Sequence, residues 1–194
     1  MLIYSENVSS SGGLAMRIMS CVLLVSWLSG CASQNTPYQG ENLVIPSIQL
    51  LKSWQLFQKE DHTYRSNMWQ KKGQRWADTF AVSIYYQQQE DLVQKRIELD
   101  APGKMHCQEF QSIDMPHPKT QDVSVKYWQT RCQVNGKMIA RMIHLMMQGQ
   151  ESFYHIQKVW AFDVDESEFL FWKQQMDDTF LCDLGASDNT CPLD

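Results

Sequence analysis

Asn135-Gly136 separates two long strand-like runs, Val123 to Val134 and Lys137 to Gln148. Both turn residues tolerate positive φ, which makes the pair the strongest short-range signal for a two-residue hairpin. Such a turn pairs Val134 with Lys137 and sets Cys132 opposite Ile139. The return run, "MIARMIHLMM", is apolar on both faces. A half-buried strand would alternate, so this one is expected near the middle of a sheet, covered on each side. A chain committed to this hairpin is committed to an antiparallel sheet.

The remaining elements are read outward from it. Gly149-Gln150 turns the chain into Ser152 to Phe162, a further strand. Thr79 to Tyr86 ("TFAVSIYY") is rich in β-branched and aromatic residues and reads as another. Lys104 to Ile113, holding Cys107, is expected as a strand, and Glu90 to Asp100 as a short helix ended by "APG". Asp114 to Asp122 is a loop, because its two prolines cannot donate to a ladder. Ile48 to Phe57 fits helical spacing and alternation about equally, and is assigned to a helix or an irregular segment. After Phe162 the period changes. Asp165 with Glu168 three residues on forms a capping-box arrangement, and Phe169, Trp172, Met176 and Phe180 mark one apolar helical face. The fold class is therefore α+β: an antiparallel sheet of about five strands with a C-terminal amphipathic helix packed on it. This order of elements, over residues 76–182, resembles the PsbP-like α/β/α fold; it carries no motif and implies no activity.

The N-terminal region has a different character. Ile18 to Trp27 is an apolar run of ten residues behind Arg17. A membrane-crossing helix needs about 20 apolar residues, whereas ten behind a positive charge has the form of a signal-peptide core. Leu28-Ser29-Gly30-Cys31 follows and resembles the lipobox of bacterial lipoproteins. That resemblance implies cleavage before Cys31, a diacylglyceryl group on its thiol and an acylated new amino terminus. Several acyl chains hold a protein stably at a membrane where one is marginal. Ala32 is not the aspartate that retains enterobacterial lipoproteins at the inner membrane, so the resemblance implies the periplasmic face of the outer membrane. Residues 1–15 carry Glu6 and no basic residue, which suits an over-long start with Met16 the true one. The expected organisation is residues 1–30 signal peptide, 31–46 lipidated linker and 47–194 a single globular domain. A polar linker of this length gives a reach of about 20 Å.

Cleavage would leave 194 − 30 = 164 residues with 16 basic and 21 acidic side chains, an unchanged net charge of −5. No basic run is present, which argues against nucleic acid and against a polybasic lipid contact. Of six cysteines, Cys21 leaves with the signal and Cys31 is the lipidation site. Cys107, Cys132, Cys182 and Cys191 remain, an even number that reads as two disulfides in an oxidising compartment. Four cysteines allow three connectivities. Cys182 and Cys191 are nine apart in a polar tail and can close a local loop, which leaves Cys107 to Cys132. Zinc binding by Cys107, Cys132 and nearby histidines matches no familiar spacing, and no CxxC redox motif occurs.

Motifs for chemistry are otherwise sparse. His144 and His155 lie on neighbouring strands either side of the Gly149-Gln150 turn and are the weak candidates for a metal or a proton relay. The plainer expectation is strand residues with one face at the sheet surface. Asp163, Asp165, Glu166 and Glu168 lack the EF-hand pattern and suit a helix N-terminus. No nucleophile elbow, phosphate loop or cofactor motif is present. Six tryptophans beyond Cys31, with eleven methionines in the full chain, predict an aromatic-rich core and one exposed aromatic patch.

Three functional classes remain, in this order. The first is a non-catalytic structural or interaction subunit of an envelope assembly; small Gln- and Met-rich lipoproteins of this kind resemble accessory lipoproteins of type IVB secretion complexes. The second is a ligand- or lipid-binding lipoprotein, and the third an envelope hydrolase or metalloenzyme using His144 and His155. Metabolic labelling with palmitate checks the premise they share. Labelling is expected for the wild-type chain and not for Cys31→Ser, and label persisting in the variant contradicts the lipobox assignment.

Overall fold

The computed structural model describes residues 40–119, 123–183 and 191; the expected signal segment and Cys31 lie outside these residues. Nine strands and two α-helices occur among the described residues, in the order β1 (Glu41–Val44), a 3-10 segment (Pro46–Ser53), β2 (Gln55–Glu60), β3 (Tyr64–Gln70), a 3-10 turn (Arg75–Ala77), β4 (Asp78–Tyr85), α1 (Leu92–His106), β5 (Glu109–Asp114), β6 (Ser124–Val134), β7 (Lys137–Gln148), β8 (Phe153–Trp160), α2 (Glu166–Asp177) and β9 (Phe180–Asp183). Seven strands form one antiparallel sheet in the order β2-β3-β4-β8-β7-β6-β5, and β1 pairs with β9 as a separate ribbon. The α+β class and the antiparallel sheet stand. The count of about five does not, because "QLFQKE" and "YRSNMWQ" are strands. They lie at or next to the sheet edge, and their half-exposed polar side chains hide the period-2 signal.

Hairpin β6–β7 is built as its sequence dictates, with Asn135 and Gly136 both at positive φ. Val134 faces Lys137, but the register slips by one between Cys132 and Gln133, so Cys132 opposes Ala140 and not Ile139. Ile139 is the extra residue of this bulge and is 43% exposed. Beyond the bulge β7 runs next to the central strand, β8. Its Ile143, Leu145 and Met147 enter one core and its Met146 the other.

Two cores lie on opposite faces of the sheet. On one face Phe169, Trp172 and Met176 of α2 pack with Phe80, Val82, Tyr127 and Ile156. Asp165 caps α2 through a hydrogen bond from the Glu168 N–H (3.0 Å), as its sequence predicts. The helix ends at Asp177, so Phe180 is not on its face but starts β9. On the other face α1 packs over β5, β6 and β7 and contributes Leu92 and Leu99 to a cluster around Trp128, Met146 and Phe153.

Helix α1 corrects two expectations. "APG" does not end it: the helix runs through Pro102 to His106. Pro102 removes one backbone N–H from the helix, and Gly103 is where the Phe110 ring of β5 lies against the backbone, leaving no room for a Cβ. Cys107 is consequently the C-cap of α1 and not a strand residue, and its N–H donates to Gly103 O (2.9 Å). Its disulfide with Cys132 ties the end of α1 to β6. The second disulfide joins Cys182 of β9 to Cys191.

Residues Glu41–Val44, expected in the linker, are strand β1 and register with Asp183 to Phe180. What fixes them is Glu41. It accepts hydrogen bonds from Gln150 N–H (3.1 Å) and Tyr154 Oη (3.2 Å), and it lies so close over Gly149 that a side chain there would overlap its carboxylate.

The Cys107–Cys132 bridge closes a separation of 25 residues, for which loop entropy gives about 3 kcal/mol. A Cys107→Ala, Cys132→Ala variant is expected to lose about that much unfolding free energy in denaturant titration, seen as a lower midpoint. Unchanged stability would show that the bridge adds nothing beyond the contacts of α1.

Candidate functional site

Alternation along β8 puts Ile156, Lys158 and Trp160 on one face. That face is the α2 core, and Lys158 is completely buried in it. Its ammonium forms an ion pair with Asp78 of β4, also fully buried, and Lys71 Nζ lies 3.3 Å from the other carboxylate oxygen. Three tryptophans surround the ammonium: it lies 4.3 Å from the Trp160 ring centroid, 5.0 Å from Trp172 and 5.2 Å from Trp54. Burial pulls Lys158 down to about 8, while the Asp78 carboxylate acts in the opposite direction. A buried amine of lowered pKa is the form a nucleophilic lysine takes. Here the ammonium is fully buried and paired with an equally buried Asp78, the arrangement of a structural cation. The sequence signal was present but unread: a lysine at the middle of an Ile-x-Lys-x-Trp alternation.

His144 and His155 do come together, but not at the sheet surface as expected. His144 is 4% exposed and His155 9%. Register places His155 opposite Met146, two residues along from His144 on the same face. The rings stack at 5.6 Å with His144 Nδ1 and His155 Nε2 3.3 Å apart, and Trp128 stacks on His144 at 4.6 Å. Trp128 Nε1–H donates to Asp100 of α1 (3.2 Å), and Arg96 of α1 lies 3.7 Å from the same carboxylate. Desolvation pulls both histidines down to about 3, with Arg96 adding to the effect on His144 and His144 to that on His155. Two neutral imidazoles sharing one N–H···N hydrogen bond fill a core position. Among the described residues no group of three or more His, Cys, Asp or Glu side chains could hold a metal ion. The sulfurs of Cys107 and Cys132 are consumed by their bridge. His117 is also buried in the fold, with its ring nitrogens near Lys119 O (3.2 Å) and Met176 O (3.3 Å).

The acidic cluster is likewise used by the fold. Asp165 caps α2. Glu166 holds Arg141 of β7 (2.6 Å), whose guanidinium stacks 3.2 Å from the Phe169 ring centroid. Glu168 accepts from Trp160 Nε1–H (3.1 Å).

Several large apolar side chains among the described residues face solvent. Trp76, on the 3-10 turn before β4, is 59% exposed and packs against Phe57 of edge strand β2 with ring centroids 5.4 Å apart. Phe57 registers with Met68 of β3, and both are half-buried. They lie on the face that α1 covers over β5, β6 and β7, at the opposite end of the sheet. Trp76, Phe57 and Met68 thus form a largely aromatic patch beside a strand edge that no other strand among the described residues pairs, and this is the candidate site. Among the described residues no helix is long and apolar enough to cross a membrane. No protein-family model matches the chain, and no curated protein sequence is detectably similar to it.

The histidine pair sets an acid limit. A histidine neutral in the fold but free to protonate when unfolded stabilises the fold above its unfolded pKa of about 6.5 and loses that contribution as pH falls toward its folded value. Stability is therefore expected to fall on the order of a few kcal/mol between pH 6.5 and pH 4. A His144→Phe, His155→Leu variant should show a much shallower loss over the same window in denaturant titrations. An equally steep fall in the variant would place the acid sensitivity elsewhere.

Proposed function

We propose that this protein is a lipid-anchored envelope protein that works by contact with other envelope proteins, without chemistry of its own. The anchor rests on the resemblance of Leu28–Cys31 to a lipobox, and with it the assignment to the periplasmic face of the outer membrane. The contact reading is carried by one observation: Trp76 is 59% exposed and braced by Phe57 beside an edge strand. Tryptophan is the residue type most enriched where partner proteins bind, and exposed large rings are otherwise unfavourable in water. An edge strand supplies free backbone groups beside it, with Lys59 and Glu60 as charges that discourage indiscriminate pairing. The buried ionisable groups support the same reading. Lys158, Asp78, His144 and His155 are spent inside the fold, where a soluble substrate does not reach them. A disulfide-braced domain on a short tether suits docking to an assembly such as a secretion complex.

The test is site-specific photo-crosslinking in intact envelopes, with the crosslinker at position 76 and, as a control, at Glu98, whose side chain is 55% exposed on α1. Discrete protein adducts are expected from position 76 and not from 98. Trp76→Ala should abolish the phenotype of the wild-type gene while changing stability by only about 0.5 kcal/mol. The same adduct pattern at both positions, or full function of Trp76→Ala, would overturn the assignment.

A further inference from the structure

A second feature is independent of the aromatic patch. Strand β1 crosses the α2 face of the sheet near β3, β4 and β8, and a half-open cavity of about 290 Å³ lies beneath it. Its apolar walls include Leu43, Ile45, Trp69, Val82 and Ile84. Its polar groups are of two kinds. Glu41 and Tyr154 are bonded to each other, with Gln150 N–H completing the carboxylate, and burial raises the pKa of both. Arg65 is the exception. It lines the cavity, with its Nε enclosed and without a hydrogen-bond partner among the described residues. Asn67 stands beside it, its Oδ1 accepting from Gln58 (3.1 Å), which leaves its amide hydrogens to donate. The other titratable group in the lining is Tyr86.

Arg65 is half-buried, and no carboxylate among the described residues is paired with its guanidinium; that desolvated charge is what an anion meeting its terminal nitrogens would offset. One cation matches one negative charge, and the nearby Glu41 carboxylate disfavours a dianion. The remaining walls are apolar. At about 30 Å³ for each water-sized group, the cavity has room for about ten non-hydrogen atoms, too few for a diacyl lipid. We propose that this cavity binds a medium-chain carboxylate, with its head on Arg65 and Asn67 and its chain along Leu43, Trp69, Val82 and Ile84.

Octanoate, which has ten non-hydrogen atoms, is the probe. The full chain, with its disulfides formed and held in amphipol, is titrated with octanoate and with octylamine by calorimetry and by methyl NMR. Saturable binding of one octanoate per chain is expected, with shifts at the Leu43 and Ile84 methyl groups and no comparable binding of octylamine. Arg65→Gln should weaken octanoate by about tenfold or more. Ile84→Trp, which fills the cavity floor and keeps Arg65, should abolish binding, and an unchanged far-ultraviolet spectrum checks that each variant is folded. Octylamine binding as well as octanoate, an unchanged affinity in either variant, or only non-saturable uptake would overturn the proposal. None of these results bears on the contact at Trp76.

Discussion

The ion pair between Lys158 and Asp78 is the contact around which the domain is arranged. It couples adjacent strands β4 and β8 at the centre of the sheet, and its tryptophan cage draws α2 and the segment before β2 onto them. Moving two charges into an apolar core is costly, and Coulomb attraction alone repays it only when the surroundings are well formed. Here the rings of Trp54, Trp160 and Trp172 supply cation–π attraction worth up to about 2 kcal/mol each when desolvated. The pair therefore contributes little net stability compared with an apolar substitute. It discriminates strongly, because any packing that separates Lys158 from Asp78 leaves a bare charge in the core. One arrangement of β8 against α2 is selected over its neighbours.

The opposite core obeys the same logic with neutral groups. Trp128, His144 and His155 form a stack in which the indole N–H bonds Asp100 and one imidazole bonds the other. Arg96 sits at its margin, bridging Asp100, Asp114 and Ser112. Polar side chains thus specify both layers, and the apolar residues around them fill the volume.

Local chemistry made half of this readable. Asn135-Gly136 dictates its turn wherever it occurs between strands, and Asp165 caps whatever amphipathic run follows it. The limits of α1 and β5 were not readable, because Pro102 and Gly103 ordinarily stop a helix. Here the contact with Phe110 and the bridge at Cys107 override them. The bulge at Ile139 leaves no local mark, since both registers bury apolar residues on β7. Strands β2 and β3 escaped for a related reason: "QLFQKE" acquires its strand conformation from pairing with Tyr64–Gln70 and not from its own composition. The candidate patch was foreseeable only as a kind. Tryptophan content predicts that some ring reaches the surface, but only the fold shows that it is Trp76, while Trp54, Trp69, Trp128, Trp160 and Trp172 pack inward.

The β1–β9 ribbon has a mechanical consequence. Glu41 registers with Asp183 and Val44 with Phe180, so tension entering the domain at residue 41 runs lengthwise along β1. The four residue pairs then share the load in shear and do not open one after another like a zipper. Tension applied upstream of residue 41 would be shared between this ribbon and the hydrogen bonds that tie Glu41 to Gln150 and to Tyr154 of β8.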